Sequence, residues 1–232
     1  MMDLMLRRRI MMANVIPPWV PSGDISEYIS DGLTFHVDGI ESAEGTVKDL
    51  VTDTIFNANT AASIAYENGG IVLTGGFFYR ATALLGNSSS QTVEVCFSPS
   101  VMQACCIFAS GTNGVNTYYP CVIFTANGEQ ITFLARKGSA YNPGLVANGK
   151  YTISMNTARG ISNGVAMATN GTNYYANVGH TVIGARRYSN AYSAKFSGTI
   201  YSIRVYSRQL TQAEMLHNQK VDNVRFNLGL TI

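Results

Sequence analysis

FSGTIYSIRVYSRQLTQAEMLHNQK, residues 196–220, is the stretch whose reading decides the fold. Gly198 ends a turn, and residues 199–206 then alternate. Tyr201, Ile203 and Val205 fall on one face, Ser202 and Arg204 on the other. A period of two across β-branched and aromatic residues predicts a half-buried strand. Thr211-Gln-Ala-Glu214 follows and has the form of a capping box. The Thr211 hydroxyl can accept from the Glu214 amide while the Glu214 carboxylate reaches back to the Thr211 amide. Leu210 and Met215 stand where a hydrophobic staple needs them. The segment is expected to be a closing strand, a tight corner and a short helix running to about Lys220.

The chain before it reads as more short strands. Residues 33–37, 71–73, 77–81, 91–97, 104–109, 121–125, 130–135, 151–155, 165–168, 173–176 and 181–183 carry the pattern, and 47–51 forms a further short element. Asn127-Gly128 is a strong hairpin signal, because both central positions of such a turn need positive φ. The pair 151–155 and 165–168 is expected to be adjacent. Residues 55–66 are open between a short helix and irregular chain, and the tail 224–232 between an edge strand and docking on a neighbour. Strands with turn signals about every 8–12 residues argue for two packed antiparallel sheets.

Composition agrees. Hydrophobic residues make up 46% of the 232, charged ones 13%, and there are 22 glycines and 6 prolines. This suits many strands joined by tight turns and leaves little room for a long disordered region. No apolar run approaches the roughly 18–20 residues needed to span a bilayer. The net charge of +2 hides an uneven distribution: residues 21–100 hold ten acids, residues 101–232 eleven Lys or Arg. Where early and late strands lie side by side in such a sandwich, these charges either neutralise each other within one molecule or join acidic to basic faces of neighbouring copies. Cys96, Cys105, Cys106 and Cys121 fall in expected strands without zinc spacing, so buried free thiols and synthesis in a reducing cytoplasm are expected.

A family resemblance rests on these residues. Ile183-Gly184, Phe196, Gly198, Ile200, Ile203-Arg204-Val205-Tyr206, Arg208, Leu210, Thr211 and Glu214 resemble the closing motif of laminin-G-like, concanavalin-type jelly rolls. DGLTFHVDG, residues 31–39, resembles the first strand of such domains in bacterial and phage proteins. VKDL, residues 47–50, stands where those domains often carry Trp-x-Asp-Leu, and the Trp is missing. The resemblance covers roughly residues 30–226. It implies an all-β, two-sheet antiparallel jelly-roll sandwich over 22–232, with a short C-terminal helix and an extended N-terminal arm over 1–21. It fixes no function, because this fold hosts lectins, adhesins, enzymes and inert spacers. Relatives often bind calcium at the sandwich rim through acids and carbonyls. Asp31, Asp38, Glu41 and Glu44 are the acids in place for that or for plain solubility, and no DxDxDG loop is present. No cofactor is otherwise expected.

The opening MMDLMLRRRIMMANVIPPWV differs from everything after it. Its apolar part is too short for a secretory signal, Pro17-Pro18 stops it, and no small-x-small site precedes Trp19. The better reading is a docking arm, with Met11, Met12 and Trp19 filling a groove and Arg7, Arg8 and Arg9 making bidentate contacts. Openings of this kind are similar to those of virion proteins of gut phages. That resemblance implies attachment to other virion proteins, a virion location and an oligomer when assembled. An arm with no role is the alternative.

Chemistry is sparse. His36, His180 and His217 lie beside no nucleophile motif, and Gly-x-Ser-x-Gly is absent. Glycosidases need two carboxylates at a fixed separation; Glu94 is alone on its strand, so no enzyme and no catalytic residue are expected. There is no phosphate-binding loop and no basic stripe dense enough for nucleic acid. Aromatics are the better lead. Tyr118, Tyr119, Tyr174, Tyr175, Tyr188 and Tyr192 occur at turns or strand ends, with Asn neighbours and Arg186 nearby. Sugars present apolar C–H faces to aromatic rings and polar edges to Asn and Arg donors, so these residues are candidates for a glycan site. Ordinary packing is the alternative. Three functions follow, in order of preference: a surface-displayed virion protein held by its arm and adhering to host or mucosal glycans, a carbohydrate-binding module of a bacterial or phage surface protein, and last a glycoside hydrolase.

Overall fold

A computed structural model of the chain describes residues 24–42, 46–60, 63–81, 91–110, 121–124, 131–134, 139–141, 143–156, 158–167, 180–188 and 191–232. Eighteen strands are assigned among them: β1 (Leu33–Asp38), β2 (Val47–Lys48), β3 (Ile55–Ala58), β4 (Ile64–Glu67), β5 (Gly70–Thr74), β6 (Phe78–Arg80), β7 (Thr92–Pro99), β8 (Cys105–Ser110), β9 (Cys121–Phe124), β10 (Ile131–Leu134), β11 (Ser139–Tyr141), β12 (Tyr151–Asn156), β13 (Gly160–Ser162), β14 (Val165–Met167), β15 (Thr181–Ile183), β16 (Arg186–Tyr188), β17 (Ala191–Ser193) and β18 (Ser197–Tyr206). A single turn of 3-10 helix at Ile25–Glu27 precedes β1, and one α-helix, α1 (Gln212–Arg225), follows β18. No helix among the described residues is long and apolar enough to cross a membrane.

The first sheet runs β14-β13-β12-β7-β18-β5-β4, and the second β11-β10-β9-β8-β15-β6-β3-β2, with every recorded pairing antiparallel. This is the expected all-β sandwich. β18 is its organiser because of its length. β7 pairs along it from Gly198 to Tyr206, while its other edge is shared, β5 taking Ser197–Ile200 and β1 taking Ser202–Tyr206. First and closing strands therefore lie side by side. Between the sheets, Phe35 of β1 packs against Phe108 of β8 at 5.6 Å and Phe56 of β3 at 5.8 Å. Val93, Val95, Phe97, Ile153, Ile203 and Val205 complete that core.

The closing strand departs from its expected form in two ways. Its register with β7 shifts between Ile200 and Ser202. A bulge adds one residue, so the side-chain alternation restarts. Tyr201 therefore leaves the face of Ile203 and Val205 and packs with Cys96, Phe226 and Leu228 on the opposite side. Nor is the strand half-buried: residues 200–206 are buried on both faces, because α1 lies across the outside of the first sheet.

Other differences are local. Within the stretch 55–66, residues 55–58 form β3 and β4 begins at Ile64, and an Asn68-Gly69 turn with φ of 50° and 74° joins β4 to β5. Two positive φ values suit a tight hairpin, and Asn and Gly tolerate them. Residues 165–167 pair with β13, which intervenes between them and β12. The β9–β10 pairing is present, while the Asn127-Gly128 turn and residues 173–176 lie outside the described residues. The helix runs five residues past Lys220. The tail forms no strand: Phe226 and Leu228 pack on the chain's own first sheet, and Leu230 exchanges two hydrogen bonds with Asn223. Cys96, Cys105 and Cys106 are buried free thiols as expected, and the Cys121 side chain lies outside the description.

The uneven charge closes on itself. Arg208 meets Asp31 at 2.7 Å, Arg225 meets Asp38 at 2.7 Å and Glu41 at 2.8 Å, and Arg204 meets Glu94 at 2.9 Å. Late bases thus find early acids within one molecule.

Candidate functional site

The two outer faces of the sandwich differ. On the first sheet, α1 turns Met215, Asn218, Gln219, Asp222 and Arg225 inward, spaced three and four apart, so they form one face of the helix. That face is mostly polar and meets a polar sheet surface. Arg204 lies fully buried between Glu94 and Asp222, its Nε donating to Glu94 at 2.9 Å and its two Nη groups to Asp222 at 2.8 and 2.7 Å. Tyr28, Thr152 and Ser202 also donate to Asp222, at 2.9, 2.7 and 3.1 Å. Ser154 and Asn218 donate to Glu94, each at 2.8 Å. Burial pushes the Glu94 pKa up against the pull of Arg204. Burial also works against the Arg204 charge, but Asp222 and Glu94 more than offset it and hold the guanidinium ionised. Every oxygen of the one acid on β7 is engaged, so this arrangement is a clamp for the helix and offers no group to a substrate.

On the second sheet, an aromatic cluster forms on the outer face. Val182 of β15 stands opposite Tyr79 of β6, so the two share a face. The β16–β17 hairpin brings Tyr192 over them. Phe77 and Tyr192 have ring centroids 4.4 Å apart, Tyr79 and Tyr192 5.6 Å, and Phe77 and Tyr79 6.4 Å. Phe77, Val182 and Ala185 form a buried floor, and Tyr79 and Tyr192 lie partly exposed on it. Asn57 of β3, opposite Tyr79 in register, is exposed beside it.

Cations edge the cluster. The Lys195 ammonium lies 5.6 Å from the Phe77 ring centre, within cation–π range. Arg187, opposite Tyr192 in the hairpin, reaches His180 with Nη1 3.1 Å from Nε2. Burial and then the Arg187 charge push the His180 pKa down, so its imidazole is neutral at pH 7. Burial pushes the Tyr192 hydroxyl up, so it stays a protonated donor. Half-exposed aromatic faces with amide, guanidinium and ammonium donors around them suit a ligand with apolar faces and hydroxyl edges.

The structure brings only part of the sequence-derived set here. Tyr192 is in the cluster. Arg186 lies next along β16 and donates from Nε to Ser193 Oγ at 3.3 Å. Tyr188 is the last residue of β16, but its side chain lies outside the description. Tyr118, Tyr119, Tyr174 and Tyr175 lie outside the described residues, as do Arg7, Arg8, Arg9, Met11, Met12 and Trp19 of the arm. Sequence reasoning missed Phe77, Tyr79, Asn57, Arg187, His180 and Lys195 as partners. The alternation of Phe78, inward, with Phe77 and Tyr79, outward, was the available signal, since it places two aromatic rings on a solvent-side face. Of the acids considered for calcium, Asp31, Asp38 and Glu41 each face an arginine, and Glu44 lies outside the description. Among the described residues no group of three or more His, Cys, Asp or Glu is placed to hold a metal ion.

No protein-family model and no curated protein sequence matches the chain. Solved structures do. Trypanosoma rangeli sialidase in complex with sialic acid superposes with a TM-score of 0.62 at 16% identity, over 84% of this chain and 33% of that one. Domain 4 of AbnA, a GH43 extracellular arabinanase from Geobacillus stearothermophilus, in complex with arabinotriose, gives 0.57 at 15% identity, over 79% of this chain and 96% of that one. The chain thus spans about a third of the sialidase and nearly all of the arabinanase domain. At such identities the likeness is one of fold: the chain is an antiparallel β-sandwich of a kind present in carbohydrate-active proteins.

Proposed function

We propose that this chain is a carbohydrate-binding module whose ligand lies on the outer face of the second sheet, across Tyr79 and Tyr192. The observation that carries this is the convergence of Phe77, Tyr79 and Tyr192 from two distant parts of the chain, with Asn57, Arg187 and Lys195 around them. A pyranose or furanose would stack on the tyrosines and take hydrogen bonds at its edge. The fold likeness to an arabinanase domain held with arabinotriose supports the reading, because that domain matches this chain along almost its whole length. Glu94 and Asp222 are committed to Arg204, and the groups named at the tyrosine face are aromatic rings and hydrogen-bond donors, which supports a binding role there.

The test is a glycan array followed by titration of the best hits, arabino-oligosaccharides included, with Tyr79→Ala and Tyr192→Ala as controls. Saturable binding lost in both variants, with unchanged circular dichroism, is expected. Absence of any binding, or full binding by both variants, would overturn the reading. A virion setting, with residues 1–21 holding the module to other particle proteins, is proposed from the sequence alone. Normal incorporation of a chain lacking those residues would refute it.

A further inference from the structure

We propose that the hollow at the C-terminal end of α1 is a second ligand site, taking one carboxylate-bearing sugar residue such as a hexuronic acid. It lies outside the first sheet, on the face opposite the tyrosine cluster, and shares no residue with it. Asn68, Lys150, Tyr201, Phe226 and Asn227 line a cavity of about 250 Å³. Sites for drug-sized ligands run about 300–1,000 Å³, so this one is a step smaller. With about 30 Å³ per water in the liquid, it has room for about eight waters, the scale of one sugar ring.

Its shape follows from features already described. The bulge in β18 turns Tyr201 outward, and the end of α1 lays Phe226 against it, ring centroids 5.5 Å apart and planes 38° from parallel. That pair is the apolar wall. Asn68 at the β4–β5 turn and Asn227 after the helix both have positive φ, 50° and 48°, and both are exposed. Gly70 keeps the wall in place, since a Cβ there would lie 3.0 Å from the Tyr201 ring and 2.2 Å from Thr199.

The choice of an acidic ligand comes from Lys150. Its Nζ donates to the Asn227 carbonyl at 3.1 Å, which tethers the ammonium at the hollow. An ammonium has three N–H donors, so two are left for a ligand. Asn163 fixes the backbone at this point, accepting from Thr152 N at 2.8 Å and donating to Lys150 O at 3.1 Å. Among the described residues lining the hollow, Lys150 is the one that carries a charge. A carboxylate therefore gains a charge-assisted hydrogen bond there, stronger than any a neutral hydroxyl makes. The asparagine amides serve the ring hydroxyls, while Tyr201 and Phe226, 8% and 2% exposed, close the apolar side of the hollow.

The full chain, isotope-labelled, is titrated with glucuronate, glucose and acetate and followed by amide NMR. Glucuronate is expected to shift Asn68, Lys150 and Asn227, with affinity falling as salt rises. Lys150→Met should weaken it about tenfold or more, the scale of one hydrogen bond to a charged group, while Tyr192→Ala leaves it unchanged. Thermal midpoints of both variants serve as the folding control. No shift at these residues, or equal affinity for glucose, would overturn the proposal. So would acetate binding as tightly as glucuronate, since that would reduce the site to a simple anion contact.

Discussion

Replacing Arg204 with Met keeps most of the side-chain volume but leaves Glu94 and Asp222 buried without their cation. Arg204 is fully buried, as are both acids, and it donates three hydrogen bonds to them within 2.7–2.9 Å. It also lies 4.0 Å from the Tyr28 ring centre, which ties the start of the described chain to the same cluster. Breaking a buried pair from one side costs about 3–5 kcal/mol, because a carboxylate stays desolvated and uncompensated. A domain of this size loses about 2–4 °C of thermal midpoint per kcal/mol. Arg204→Met should therefore melt about 6–20 °C below the parent by calorimetry, with a matching drop in urea midpoint. Adding Glu94→Gln and Asp222→Asn to the same chain should recover most of the loss, since apolar or neutral replacements of whole buried ion clusters are often tolerated. An Arg204→Met chain that loses less than about 1 kcal/mol, the range of an exposed ion pair, would refute the reasoning.

Four further outcomes follow from named contacts. The Thr211 hydroxyl accepts from Glu214 N at 3.3 Å, and Thr211→Ala should cost about 1 kcal/mol of stability in urea titration. Arg208 and then the Thr211 cap hold the Glu214 pKa down to about 2, so its contribution is present above its ordinary 4.5 and fades as pH falls from there through 2. Glu214→Gln should remove that slope from the thermal midpoint plotted against pH. Burial, with Arg204 and Arg225 nearby, pushes the His36 pKa well below 6.5; Tyr28 and Asp38 are its other near neighbours. The unfolded chain then binds a proton the folded one refuses, so stability should fall as pH drops below 6.5, and less steeply in His36→Gln. Gly198 has φ of 145°, and a Cβ there would lie 2.2 Å from Ser98 O, so Gly198→Ala should cost more than about 1 kcal/mol.

Much of the sandwich was legible because its signals are local. Alternating β-branched residues, the capping box at Thr211 and the shared edge of first and last strands all follow from neighbouring residues or from the family motif. The bulge after Ile200 was not legible, because a one-residue register shift leaves no mark in composition. It reversed the face of Tyr201 and, with it, opened the hollow beside Phe226. Arg204 and Glu94 read as solvent-side residues, since nothing local announces that α1 will cover them; the polar face of Asn218, Gln219 and Asp222 shows its purpose only when their partners are in place. Tyr192 was found as one of several rim tyrosines. Its partners Phe77 and Tyr79 stand more than a hundred residues away, and only β6–β15 pairing with the β16–β17 hairpin joins them.

The binding face itself is tested most directly by locating a bound sugar. With the best ligand from the array in excess, intermolecular NMR contacts between sugar C–H protons and the ring protons of Tyr79 and Tyr192 are predicted. Contacts confined to other parts of the surface, with both tyrosine rings unperturbed, would contradict the account.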